Sequence, residues 1–231
     1  KFGQDNRNIV GDVKTNLISS SLKSIKGFGD GIGETLFELG KITFESFLDF
    51  LVYCEENKFM SSKFESLIKI GYFSAFGEGK KLLTLFTEFR KGKSKYTSKL
   101  AEKSKIKRLE ELKVLWDNLP NESFSVMEQI ANEVSILGRI ESKFDTGRKL
   151  GFVVELDIKN SPKAKLQNLK KGNVETFKVA KKLFSQNEFC EGQILEIVDL
   201  EKKQATRFAG TDEEGKNKFE DIPDKYDVWI R

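Results

Sequence analysis

The stretch Leu22-Lys23-Ser24-Ile25-Lys26-Gly27-Phe28-Gly29-Asp30-Gly31-Ile32-Gly33-Glu34-Thr35-Leu36-Phe37 decides how the first half of the chain is read. Leu22 and Ile25 are spaced as on a helix, and so are Ile32, Leu36 and Phe37, with a Gly-Phe-Gly turn between the two groups. Glycine admits the positive φ that a sharp reversal requires. The stretch is therefore expected to be two helices joined at Gly27-Phe28-Gly29. Phe28 is expected to pin the turn to a core, and Gly33 to mark a close approach of the two helices. Leu22, Ile25, Leu36 and Phe37 form the expected packed seam. The N–H groups that open the second helix have no intrahelical acceptor and sit at the positive end of its dipole, which suits a phosphate. Lys23 and Lys26 add charge beside them. No Gly-Lys-Ser/Thr follows, so this is no Walker loop. A helix rather than a strand is expected before the glycines, so it is no dinucleotide fingerprint.

A second glycine turn follows about 45 residues later, at Leu67-Ile68-Lys69-Ile70-Gly71-Tyr72-Phe73. The two turns read as one helix-turn-helix unit used twice. Helical spacing recurs at Phe44, Phe47, Leu48, Leu51 and Val52, then at Leu82, Leu83, Leu85, Phe86 and Phe89, and again at Leu109, Leu112 and Leu115. No proline occurs before Pro120, which favours uninterrupted helices up to a boundary there. Beyond it the texture changes. Val134, Ile136 and Ile140, then Gly151–Leu156, Lys165–Leu169, Val174–Val179 and Gln193–Val198, read as short strands separated by turn signals. Such a series suggests a small barrel or sandwich. The polar segment Thr211–Asp221 is expected to be an exposed loop. The fold class expected is thus α+β, a helical domain followed by a small β-barrel.

The 231 residues carry 40 basic and 36 acidic side chains, no histidine and two cysteines, Cys54 and Cys190. Histidine-based triads, metal sites and general bases are excluded. Two distant cysteines make neither a structural zinc site nor a disulfide framework. Glu55-Glu56 and Asp212-Glu213-Glu214 read as solvated surface, and no spaced carboxylate set points to a nuclease. No apolar run approaches the roughly 20 residues that span a bilayer, so no membrane partner is expected, and neither is a secretory signal. The 20 phenylalanines are ample for a core, each ring burying about 150–250 Å². Charge is unevenly spread: residues 1–120 hold 21 basic and 16 acidic side chains, residues 121–231 hold 19 and 20. Between Arg90 and Arg108 nine cations (Arg90, Lys91, Lys93, Lys95, Lys99, Lys103, Lys105, Lys107 and Arg108) face Glu102 alone. Two readings stay open for this run, a solvated helix face or a polyphosphate-binding arm.

The first stretch fits the pattern apolar-x-x-apolar-x-Gly-apolar-Gly and resembles the helix-hairpin-helix motif, which binds duplex DNA through its backbone. A plain turn between helices, with glycines for geometry only, remains the alternative. The order of motifs extends the likeness. Asn16–Gly29 is followed by Phe44-Glu45-Ser46-Phe47-Leu48-Asp49-Phe50, then by Phe64–Gly77 with Lys80 and Lys81. This resembles family C replicative DNA polymerases, the alpha subunit of bacterial DNA polymerase III, over about residues 1–115. In that family a Leu-x-x-Ile-Lys-Gly hairpin follows the fingers, a phenylalanine-rich stretch comes next, and a second hairpin and an OB-fold barrel follow.

The resemblance implies a division into the tail of the fingers (1–20), a tandem helix-hairpin-helix domain (21–112), a linker helix (113–134) and an OB-fold-like domain (135–231). It assigns duplex phosphates to Lys23, Lys26, Gly27, Gly29 and Gly31 in the first hairpin. In the second it assigns them to Lys69, Gly71, Gly77, Gly79, Lys80 and Lys81, although Ser74 stands where the family has an aspartate. Lys143, Arg148 and Lys149 flank the expected loop Asp145-Thr146-Gly147 and are candidates for single-stranded template. Phe152, Phe177 and Lys165 are candidate groove residues, with Phe152 and Phe177 equally readable as core. The family's catalytic carboxylates lie in a palm that precedes such a segment, so no catalytic residue and no cofactor is expected here. The expectation is a fragment or the distal piece of a divided polymerase, working in the bacterial cytoplasm. Its implied partners are duplex DNA, template strand, the remainder of the polymerase and a sliding clamp. Glu133–Gly138 runs straight into Arg139-Ile140-Glu141, without the histidine-proline pair of the family linker. That departure points to a diverged, phage-encoded member. The competing expectation is a replisome scaffold whose β domain docks a clamp or another polymerase subunit.

Overall fold

The computed structural model describes residues 1–12, 17–19, 21–159 and 161–230. The chain divides into two units, Lys1–Ile140 and Glu141–Arg231. Of the segment expected as the tail of the fingers, residues 13–16 and 20 lie outside the described residues.

The first unit opens with a two-stranded antiparallel hairpin, β1 (Val10–Asp12) and β2 (Leu17–Ser19), followed by a single 3-10 turn at Leu22–Ser24. The helix expected before Gly27 is therefore a strand and one turn. Serine hydroxyls compete with the backbone for hydrogen bonds here. Ser21 Oγ accepts from Lys23 N at 3.1 Å and donates to Arg7 O at 2.8 Å, and Ser24 Oγ donates to Ser21 O at 2.7 Å. Helix α1 (Asp30–Leu39) follows. Helix α2 (Phe47–Glu56) starts where Ser46 Oγ accepts from Asp49 N at 3.1 Å. Helix α3 (Phe64–Lys69) stops at Gly71, whose φ of +71° lets Tyr72 N return to Leu67 O at 2.9 Å. Helices α4 (Gly79–Phe89), α5 (Glu102–Asn118) and α6 (Val126–Leu137) complete the unit.

Val134, Ile136 and Ile140, expected in a strand, do not form one: the first two lie in α6, and Ile140 follows it outside any strand. A capping box between Ser125 and Glu128 starts that helix, and Gly138 at φ +72° ends it. These boundary signals outweigh the mild β preference of Val134 and Ile136. The core of the unit is aromatic: Phe47, Phe50, Phe64 and Phe73 are fully buried. Phe2 packs against Phe44, Phe50, Tyr72, Phe73 and Phe76, with centroids 5.3–6.4 Å apart. The segment before β1 is thus part of this core.

The second unit carries a six-stranded mixed sheet of β3 (Leu150–Asp157), β4 (Lys163–Asn168), β5 (Val174–Val179), β6 (Ile194–Glu196), β7 (Leu200–Thr211) and β8 (Asn217–Ile230). Helix α7 (Lys181–Gln186) lies between β5 and β6. The strand order is β6-β3-β4-β5-β8-β7, antiparallel except for the β5–β8 pair. The sheet is not closed into a barrel, which corrects that part of the expectation; its outer strands β6 and β7 are consecutive in the chain, separated by Ile197, Val198 and Asp199. Val153, Ala164, Leu166, Phe177 and Ile197 form its core. The expected loop Thr211–Asp221 is largely strand, with only Asp212–Lys216 turning between β7 and β8. There Asp212 Oδ1 accepts from Glu214 N at 3.0 Å and Lys216 N at 2.7 Å, while Gly215 takes φ +77°. A polar ribbon of this kind buries no face, so its sequence shows no alternation of apolar residues.

Candidate nucleic-acid interface

The first glycine turn is anchored from below and open above. Leu22, Ile25 and Phe28 are buried in the core of the first unit, and Gly27 takes φ +82°. Lys23, Lys26, Gly27, Gly29 and Gly31 are all exposed. Gly29 is the N-cap of α1 and has no side chain to accept from the N–H groups of the first turn. A methyl group added at Gly27, Gly29 or Gly31 would meet nothing within 4 Å. Backbone donors at the positive end of a ten-residue helix are therefore presented to solvent beside two lysines. Gly33 serves a different purpose from the one expected. It is buried against Arg7 of the N-terminal segment, where a methyl would make ordinary contact at 3.8 Å. Arg7 in turn lies 3.6 Å over the Phe37 ring and pairs with Asp5 at 2.7 Å and Glu34 at 3.3 Å. It braces α1 at Gly33, Glu34 and Phe37, and its guanidinium holds the Asp5 carboxyl down to about 2.

The second turn shares a glycine at positive φ, Gly71 at +71°, but it follows a helix, lies eight residues before α4 and has a different environment. Lys69 pairs with Glu65 at 2.6 Å one helical turn back, and Gly71 is exposed. At the start of α4, the segment joining α5 to α6 folds over the helix N-terminus. Asn121 Oδ1 accepts from Glu78 N at 3.0 Å, and the Glu122 carbonyl accepts from Lys80 N at 3.1 Å. Ser123 Oγ donates to Glu78 Oε2 at 2.6 Å. The Phe124 ring occupies the space a side chain at Gly79 would need, 2.4 Å from an ideal Cβ. Gly77, at φ +146°, faces Asn121 and Trp116. Lys80 pairs with Glu128 at 3.1 Å, and Lys81 lies 4.1 Å over the Trp116 ring. Hydrogen bonds from Ser125 and the ion pair with Lys80 hold the Glu128 carboxyl down to about 2. Two donors of this turn, Glu78 N and Lys80 N, and the cations Lys69, Lys80 and Lys81 thus already have partners within the chain.

The basic run divides in two. Arg90 lies over Phe86, Lys91 pairs with Glu88 at 2.7 Å and Lys105 with Glu56 at 2.8 Å. Arg108 pairs with Glu111 at 3.0 Å and donates to the Glu88 carbonyl at 2.7 Å, near the negative end of α4. Lys95, Lys99, Lys103 and Lys107 are exposed.

In the second unit Lys143, Arg148 and Lys149 are exposed; Arg148 pairs with Glu196 at 3.4 Å, and the Lys143 chain lies along Gly172. The Asp145-Thr146-Gly147 turn is braced by Lys170 on Asp145 at 2.8 Å, which keeps that carboxyl below its usual range. Phe152 and Phe177 are buried, so they offer no face for a base, and Lys165 pairs with Glu155 at 2.5 Å. The exposed aromatics of this unit were missed: Phe208 and Phe219, directly paired across the β7–β8 ribbon with centroids 6.1 Å apart, and Tyr226. Their one mark in the sequence is that Phe208 and Phe219 each follow a basic residue, Arg207 and Lys218. Among the described residues no three carboxylates or thiols converge to hold a metal ion, and no helix is long and apolar enough to cross a membrane. No protein-family model, curated protein or solved structure matches this chain.

Proposed function

We propose that this chain is a DNA-binding portion of a family C replicative DNA polymerase. It grips primer–template duplex through the sugar-phosphate backbone and does not read sequence. The observation that carries this reading is the first hairpin, an exposed and uncapped helix N-terminus on a buried apolar anchor, with Lys23 and Lys26 beside it. The repeated glycine turn at Gly71 supports a tandem helix-hairpin-helix arrangement. The connectivity of the second unit supports an OB-type module: an antiparallel β3-β4-β5 meander, a helix after β5, a parallel β5–β8 pair, and outer strands linked by three residues. The work of such a portion is affinity and processivity, and chemistry belongs to other parts of the polymerase.

The test is fluorescence anisotropy with several unrelated 20-base-pair duplexes. Lys23→Glu together with Lys26→Glu is expected to weaken binding at least tenfold on every duplex alike. Unchanged affinity in that variant contradicts the assignment.

A docking role for the second unit is the alternative, and one observation favours it. The distal ribbon, residues 206–221, exposes Phe208 and Phe219 amid five acidic and three basic side chains. Arg207 pairs with Glu220 and Lys216 with Glu214, so the ribbon's cations are largely neutralised. Such a surface suits a basic protein partner better than a nucleic acid. Loss of a partner subunit's binding on Phe208→Ser with Phe219→Ser, at unchanged duplex affinity, is the expected signature.

A further inference from the structure

We infer that the segment Lys95–Lys107 is a second phosphate-binding surface for duplex DNA, contributed by Lys95, Lys99, Lys103 and Lys107. The inference rests on the duplex-binding reading and extends it to residues outside both hairpins.

Three observations carry it. First, these four lysines are exposed and, among the described residues, make no ion pair, whereas Lys91, Lys105 and Arg108 of the same run are each engaged. Glu102, the one acid of the run, pairs with none of them. Unpaired like charges along one short segment repel one another, and a polyanion relieves that repulsion while releasing its own counterions.

Second, the segment is fastened to the protein body between the lysines. Tyr96 is buried, packs its ring at a tilt against Phe89 with centroids 5.2 Å apart, and donates its N–H to the Phe89 carbonyl at 2.9 Å. Its hydroxyl donates to Glu56 Oε1 at 2.8 Å, and the same oxygen accepts from Lys105 Nζ at 2.8 Å. Ser98 N donates to Glu55 Oε1 at 3.4 Å. Glu55 and Glu56, at the end of α2, thus hold both the loop and the first turns of α5. The lysines spring from a fixed support, and less ordering is needed when they engage a ligand.

Third, the spacing fits a phosphate row. Lys103 and Lys107 stand one turn apart on α5, about 6 Å along its axis. That is about two phosphate steps at roughly 3.4 Å per phosphate on one strand. Lys95 and Lys99 stand ahead of the helix, on the loop that Tyr96 and Ser98 fasten to the body. The run begins directly after α4, whose own N-terminus is occupied by Asn121 and Glu122. The cations that follow α4, rather than those that open it, are therefore the ones free to meet a phosphate.

The experiment is a salt titration of duplex affinity for the whole chain, comparing three proteins. These are the unaltered chain, a hairpin variant (Lys23→Gln, Lys26→Gln), and an arm variant (Lys95→Gln, Lys99→Gln, Lys103→Gln, Lys107→Gln). The lysines exchanged in the arm are exposed, and tryptophan fluorescence on urea unfolding, from Trp116 and Trp229 together, verifies that the variant is folded. Removing one lysine–phosphate interaction lowers the slope of log K against log salt by about 0.9, so the arm variant is expected to flatten it by about 3–4. Its affinity at 100 mM salt is expected to fall more than tenfold, and arginine at the same four positions to restore it. An arm variant with unaltered slope, beside a weakened hairpin variant, overturns the arm and leaves the hairpin reading standing. An unaltered hairpin variant beside a weakened arm variant overturns the hairpin reading and supports the arm. Absence of duplex binding by the unaltered chain overturns both.

Discussion

Gly79→Ala tests the packing that covers the second turn. An ideal Cβ at Gly79 would stand 2.4 Å from Phe124 Cε2 and 2.7 Å from Cδ2. Carbon atoms in comfortable contact lie about 3.5–4.0 Å apart, so the ring must retreat by about 1 Å. Overpacking of this kind costs about 1–3 kcal/mol. The helix preference of alanine over glycine offsets roughly 0.5–1 kcal/mol of that. The expected net loss is about 1–2 kcal/mol. Phe124→Ala removes the obstacle, and in that background Gly79→Ala is expected to be neutral or slightly stabilising. The coupling between the two positions is then about 2 kcal/mol, well above the roughly 0.5 kcal/mol within which independent sites add. Urea unfolding in a Trp229→Phe background, followed by the fluorescence of Trp116 beside the same turn, supplies all four corners of the cycle. A loss at Gly79→Ala that is the same with and without the Phe124 ring would refute the packing.

Three further outcomes follow from particular contacts. Burial pushes the Cys54 thiol up to about 12 while Cys190 is exposed, so a disulfide reagent at pH 8 should titrate one thiol per native chain and the second only after unfolding; prompt reaction of both contradicts the buried site. Glu56 is held below its ordinary value first by Lys105 and then by Tyr96, so its contribution is present above about pH 4.5 and is lost as pH falls through its lowered folded value. The urea midpoints of the unaltered chain and Glu56→Gln should therefore differ at pH 6 and converge below pH 4; a constant difference would exclude the ion pair as the cause. Asn121→Ala removes the side-chain acceptor of Glu78 N–H and should lower the stability of the first unit by about 0.5–2 kcal/mol, read from the same Trp116 transition; no change would mean the segment does not hold the start of α4.

The first hairpin was legible because its signals are local. The glycine at positive φ, the aromatic after it and the apolar residues before it all fall within eight positions. The strand β2 before it was not, since Ser21 and Ser24 turn the chain through hydrogen bonds that helical spacing does not reveal. The cover over α4 joins Gly79 to Phe124, 45 residues apart in sequence, and no periodicity reports such a contact. The family resemblance implies that Gly77 and Gly79 face phosphates. In the fold Gly79 makes room for a ring. The strands β3, β4 and β5 were legible from apolar runs and turn glycines. The distal β7–β8 ribbon was not, because a two-stranded ribbon with no buried face leaves only charge and a pair of phenylalanines to show for itself.

The central claim is that backbone N–H groups at the start of α1 meet DNA phosphates. Amide NMR of the labelled chain titrated with a short duplex tests it most directly. The amides of Gly27 through Gly33 are expected to shift with duplex in proportion to binding, while those of Gly79 through Leu82, under their cover, stay in place. Binding that leaves the Gly27–Gly33 amides unmoved would contradict it.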